Sequence, residues 1–240
     1  MFVQARRCYA QHDIPPRNCT TDGATTSRNV WSAQLLTSWS KIDMMAPMGR
    51  PRQFDVEHVL HQCMDVFWTK GFHATSYEDL TRATRVKKQS LYGVFNDKRS
   101  LFLRALKQYR KQSIEHMEHR MKNDVSPLKN LEAIRDAILS PVDEAVCRGC
   151  LMVNSALEFG TDDEEVMREV DMMFTEMERI LEGVIQIGQE QHLMTTDYTS
   201  EELAAHLVNA ILGAKIMEKR GVSREKIEAV LRTSFALISL

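Results

Sequence analysis

Residues 87–92 read KKQSLY. Two ammonium groups, a carboxamide and two hydroxyls fall within one short stretch. A glutamine amide can pair in a bidentate way with an adenine edge, and lysine reaches guanine acceptors or phosphate oxygens. Serine and tyrosine hydroxyls donate to phosphates. Leu91, Val94 and Phe95 recur at helical spacing, so they back the polar groups on the far side of one short helix. Between Lys87 and Lys111 there are eight basic residues and one acid. The chemistry on offer is recognition of duplex DNA; the plainer reading is a solvated basic face.

A second cluster is Cys147-Arg148-Gly149-Cys150. A zinc site needs further ligands at suitable spacing, and His116 and His119 stand far away in the chain. A thiol switch is the other chemistry, because a cation beside a thiol favours the thiolate. There is no Ser-His-Asp order, paired-carboxylate motif or phosphate loop. The chain therefore reads as a non-enzyme needing no cofactor and no metal.

These groups must be positioned by helices. Val56, Val59, Leu60, Cys63 and Phe67 recur at helical spacing, and Gly71 closes that helix. Thr75 to Glu78 reads as a capping box opening a short helix over 76–84. A turn over 84–87 leads to the KKQSLY helix, about 88–95. Asn96 is expected to cap a long helix carrying Leu101, Phe102, Ala105, Tyr109, Ile114, Met117 and Met121. Leu128, Leu131, Ile134 and Ile138 mark the next, stopped by Pro141. An apolar helix follows in GCLMVNSALEF. Thr161 to Glu164 and Thr199 to Glu202 read as capping boxes for two long helices, and Ser223 caps the last. The fold class is all-α, with about nine helices.

The chain has 240 residues, 43% of them hydrophobic, and no apolar run of membrane-spanning length. Five scattered cysteines fit a reducing compartment, so a cytoplasmic location is expected. Charge is uneven: residues 48–125 carry a net +6 and residues 126–240 a net −10. A basic segment followed by an acidic one predicts two jobs, the first on a polyanion. Residues 1–47, with PPRNCTTDGATTSRN, have loop chemistry and read as a disordered or mis-started extension.

A short capped helix, a tight turn and a short basic helix, braced by longer helices, make a helix-turn-helix. Residues 50–109 resemble the DNA-binding domain of TetR/AcrR-family regulators. The resemblance is carried by RPRQFD (50–55), FWTKGFHATSYEDL (67–80) and VKKQSLYGVFNDKRSLF (86–102). RGCLMVNSALEFG (148–160) resembles a segment found in one broad group of these regulators. The resemblance implies a three-helix DNA-binding domain over 48–97 and a helical ligand-binding and dimerisation domain over 98–240. It places Thr75, Tyr92 and Lys98 at phosphate contacts, and Lys88, Gln89 and Ser90 at the start of the recognition helix. Lys87 stands where the family usually has a Ser or Thr cap and adds a charge that reaches phosphate. Arg85 replaces the usual turn glycine, and Gly93 a common His or Asn.

In the second half, the helices near 200–219 and 224–238 carry broad apolar stripes. Leu207, Ile211, Leu231 and Phe235 are the expected homodimer interface. Met117, Met121, Met152, Met172, Met173, Phe174 and Met177 are candidate walls of an effector pocket, because methionine adapts to varied apolar ligands. Asn154 and Glu158, one turn apart on an apolar helix, are its candidate polar groups. The expected function is that of a sequence-specific DNA-binding transcriptional regulator, a repressor released from its operator by an unidentified small molecule. Two rivals stand beside it: a thiol- or electrophile-sensing regulator using Cys147 and Cys150, and a non-catalytic helical protein with another acidic partner.

Overall fold

Asp55 accepts the N–H groups of Glu57 and His58 at 2.9 and 3.3 Å. Those donors have no partner inside a helix, so the cap starts α1, Val56–Lys70. Gly71 ends it at φ +82°, a conformation with low cost only for glycine. In the computed structural model, residues 54–121, 125–139 and 148–239 are described. Among them are nine α-helices and a single isolated β-bridge, between Met194 and Ser239. The expected extension over 1–47, Pro141 and Cys147 lie outside these residues.

After α1 come α2, Tyr77–Thr84, and α3, Lys88–Phe95. Arg85 turns the chain between them in the left-handed region, φ 57°, at the position where the resemblance implies a glycine. Lys87 precedes α3 without a side-chain cap. Then follow α4, Lys98–Arg120; α5, Pro127–Leu139; α6, Leu151–Phe159; α7, Glu164–Glu190; α8, Ser200–Lys219; and α9, Arg224–Ala236.

Three caps differ from expectation. The first box is Ser76 with Asp79, one residue later than Thr75 with Glu78, because the Thr75 hydroxyl donates to the Gly71 carbonyl instead. Asp97, not Asn96, caps α4 through Ser100 N–H at 2.6 Å, while Asn96 takes φ 65° to close α3. Asp163, not Thr161, caps α7, and its carboxylate also receives Arg99 through two hydrogen bonds of 2.8 Å. The Thr199–Glu202 box forms as expected.

Packing follows from the buried stripes. Phe67, Leu80, Leu91, Phe95, Leu101 and Phe102 are nearly inaccessible and pin α2 and α3 onto α1 and α4. Each such side chain contributes about 1.5–3 kcal/mol by leaving water. Phe72 and Phe159 extend this cluster, with their ring centres 5.3 Å apart. Behind it α4 packs on α7, α7 on α8, and α8 on α9, with α5 and α6 against α7.

The expected dimer residues do not face outward. Leu207, Ile211, Leu231 and Phe235 are 0–5% exposed within the chain itself. They seal α8 and α9 onto their own body, so they are unavailable to a second subunit. Exposed apolar side chains near that end are Ile216, Val230 and Leu237.

Candidate nucleic-acid interface

The apolar back of α3, Leu91 and Phe95, is buried to about 2% exposure. That anchoring turns the start of the helix outward, and Lys87, Lys88 and Gln89 are all exposed. Ser90 and Tyr92 are half-buried on the same helix. Tyr92 lies beside Tyr77 of α2, with ring centres 4.8 Å apart. The Lys88 ammonium rests over both rings, 4.6 Å from Tyr77 and 5.6 Å from Tyr92. Such cation–π contacts order a long side chain without removing its charge. Burial, then the hydrogen bond to Tyr92, pushes the Tyr77 phenol up to about 12, so it stays protonated. Its oxygen accepts the Lys98 N–H at 2.8 Å, tying α2 to the start of α4.

Two expected phosphate contacts are engaged elsewhere. Thr75 is 1% exposed, with its hydroxyl on the Gly71 carbonyl. The Lys98 ammonium donates to the carbonyls of Phe72 and Thr75, both at 2.9 Å, and lies 4.3 Å from the centre of the Phe72 ring. Both residues build the turn between α1 and α2. A lysine holding two backbone acceptors has little freedom left for a phosphate. Tyr77 is the residue missed by sequence reasoning. Its place one position after the cap, paired with Tyr92, is the signal that was there to be used.

A cavity of about 630 Å³ opens behind this head, between α1, α4, α5, residues 148–150, α7 and α8. Met117, Met173 and Met177 line it, whereas Met121, Met152, Met172 and Phe174 are not among its walls. Asn154 and Glu158 are also elsewhere: the Asn154 amide donates to the Arg148 carbonyl at 3.0 Å, and Glu158 accepts the N–H groups of Phe72 and His73 at 2.9 and 2.6 Å. Glu158 thus braces the α1–α2 turn. Trp68, Tyr109 and Arg148 are the walls that sequence reasoning missed. Trp68 donates to the Gly149 carbonyl at 3.1 Å, and Arg148 pairs with Asp65 at 2.8 Å. Cys150 is buried on the same wall, with the Tyr109 hydroxyl 3.5 Å from its sulfur. Among the described helices none is long and apolar enough to cross a membrane.

Comparison with known proteins agrees with this geometry. Residues 59–105 match the family described as bacterial regulatory proteins, tetR family, and residues 127–233 match the tetracyclin repressor-like C-terminal domain. The chain is 28% identical over 196 residues to the uncharacterised HTH-type regulator YezE of Bacillus subtilis, across 80% of this chain and all of that protein. It is 28% identical over 194 residues to the HTH-type transcriptional repressor ComR of Escherichia coli, across 79% of this chain and 91% of that one. Among solved structures, a cysteine mutant of the TetR-family regulator CifR, complexed with 26-bp double-strand operator DNA, is 28% identical with a TM-score of 0.69. That match covers 79% of this chain and 100% of CifR. A TetR-family regulator from Agrobacterium tumefaciens shares the fold at 20% identity and the same TM-score, across 77% and 99% of the two chains. An exposed basic face on a helix-turn-helix, joined to a cavity-bearing helical body, is thus matched in both halves, and the chain belongs to the TetR family of DNA-binding transcriptional regulators.

Proposed function

We propose that this protein is a homodimeric repressor that grips its operator through α3 and lets go when a small molecule fills the cavity behind α1. The observation that carries the reading is the exposed start of α3, where Lys87, Lys88 and Gln89 stand clear of a helix anchored by buried Leu91 and Phe95. In this reading residues 48–97 form the DNA-binding unit, and residues 98–240 bind the effector and pair the subunits. Gln89 reads a base edge. Lys87 and Lys88 reach guanine or phosphate, and the Ser90 and Tyr92 hydroxyls hold the backbone. The work is binding in the cytoplasm and needs no catalytic group or cofactor.

A dimer places two recognition helices on half-sites one helical turn or a small multiple apart. The partner surface moves from the buried stripe to the exposed one, with Ile216 on α8, Val230 on α9 and Leu237 just beyond. Gly213 of α8 has open space where a Cβ would stand, which leaves room for a second helix to approach. An effector then acts by binding one spacing of the two heads better than the other. Selection of bound duplexes from a random pool tests the reading. The expected result is a twofold-symmetric site. Recovery of unrelated sequences bound with equal affinity would contradict it.

A further inference from the structure

Four charged side chains line the cavity among the described residues: Asp65, Arg148, Lys215 and Glu218. They neutralise one another. Arg148 pairs with Asp65 at 2.8 Å, and Lys215 with Glu218 at 2.8 Å. A ligand carboxylate would compete with Asp65 for Arg148 and with Glu218 for Lys215, and an amine would compete with those two cations. Either exchange trades one ion pair for another and gains none. The rest of the wall is largely apolar, and its volume of about 630 Å³ suits a compact organic molecule.

Hydrogen-bonding capacity is unbalanced on one side. The Tyr109 hydroxyl, in the cavity wall, has the Cys150 sulfur as its acceptor at 3.5 Å. Sulfur is a weak acceptor for a strong donor. The Nε–H of Arg148, on the same wall, is buried with no acceptor at all. Both of these groups are donors without a strong acceptor. Burial, with Cys150 alongside, holds the Tyr109 phenol well above its ordinary pKa, so the donor is kept protonated.

We infer that the cavity takes an uncharged apolar molecule with one hydrogen-bond acceptor, of which a carbonyl is the simplest, seated on the Tyr109 hydroxyl in place of the Cys150 sulfur. This rests on the reading of the chain as an effector-released regulator and names the effector's class. Trp68 meets the Tyr109 ring edge-on at 5.0 Å. With Met64 and Asp65 it brings α1 into the same wall, so such a molecule touches a helix of the DNA-binding head directly.

Four probes of one size separate the possibilities by calorimetry on the full chain: 4-phenyl-2-butanone, butylbenzene, 3-phenylpropanoate and 3-phenylpropylamine. The ketone is expected to bind about tenfold or more tightly than the other three, the net worth of one buried hydrogen bond. Tyr109→Phe keeps the ring against Trp68 and is expected to lose that tenfold for the ketone while leaving butylbenzene unchanged. Charged probes binding as well as the ketone, or no probe binding, would overturn the inference. So would ketone affinity unaltered in Tyr109→Phe. The four-probe comparison uses the wild type, so it stands if the variant fails to fold. Operator affinity is measured without probe in parallel. A chain that holds its operator and binds no ketone defeats this inference alone. A chain that binds the ketone and selects no DNA site defeats the regulator reading and leaves the cavity's chemistry intact.

Discussion

Gly71 and Glu158 are fitted to each other: a Cβ on Gly71 would lie 2.7 Å from Oε2 of Glu158. The bare glycine lets that carboxylate reach the N–H groups of Phe72 and His73, so α6 holds the turn that leads into α2. Gly71→Ala combines a left-handed φ with this clash and is expected to cost about 1–3 kcal/mol. Glu158→Ala strands two donors and is expected to cost about 1–3 kcal/mol. Urea unfolding checks both, and unchanged midpoints would show that the turn stands without α6.

Lys98 and Lys88 should separate by assay. Lys98→Met removes the donor to Phe72 and Thr75, and is expected to lower the unfolding midpoint with little change in the salt dependence of DNA binding. Lys88→Ala is expected to leave stability alone and reduce the salt slope by about one. Titrations of binding against salt, beside melts of both variants, make the comparison. A full unit lost from the slope in Lys98→Met would restore that ammonium to the phosphates.

Acid should loosen the junction of α4 and α7. Arg99 beside Asp163 holds its carboxyl below the usual carboxylate range, against the opposing effect of burial. Asp79 is held low by Lys70 and Ser76. A folded pKa below the unfolded one gives stability that is present above the ordinary value, about 3.9, and is lost as pH falls through the folded value. Asp163→Asn is expected to cost about 1 kcal/mol at neutral pH, with surface screening limiting the ion-pair share. It should also flatten the decline of stability below about pH 4. Thermal melts from pH 7 to pH 2 test this, and parallel curves for wild type and variant would contradict it.

The two isoleucines of α8 should behave differently. Ile211 is 3% exposed and Ile216 is 41% exposed. Ile211→Glu buries a carboxylate among apolar groups and should cost more than about 3 kcal/mol, enough to threaten the fold. Ile216→Glu is expected to leave a folded chain that sediments as monomer at micromolar concentration. A stable dimer in that variant would move the partner surface elsewhere.

Periodicity located the helices because each buries a stripe, and a stripe is legible without knowing what covers it. The same property does not tell which apolar side of a helix the body leaves exposed. On α8, Leu203, Leu207 and Ile211 form the stripe that the protomer itself covers, while Ile216 stands outside it. A helix apolar on two sides does not say in sequence which side meets a partner. Caps slipped by one or two positions, as with Asn96 and Asp97, because adjacent side chains can both reach the first turn. The family resemblance implied phosphate contacts at Thr75 and Lys98, yet their polar atoms are engaged by backbone carbonyls more than twenty residues away along the chain or one turn back. Met117, Met173 and Met177 reach the cavity because long unbranched apolar side chains fill irregular gaps between helices. Trp68 and Arg148 were not legible there in the sequence, because the wall joins α1 to a segment some eighty residues further along.

The central claim is that the exposed start of α3 reads the operator, and Gln89→Ala tests it most directly. Binding of wild type and variant is measured on the selected site and on the same site altered at each base pair. A loss of about 1–3 kcal/mol on the selected site and relaxed preference at one position in each half-site are expected. Stability and salt slope should stay unchanged. An unaltered preference at every position would mean that this face of α3 does not contact base edges.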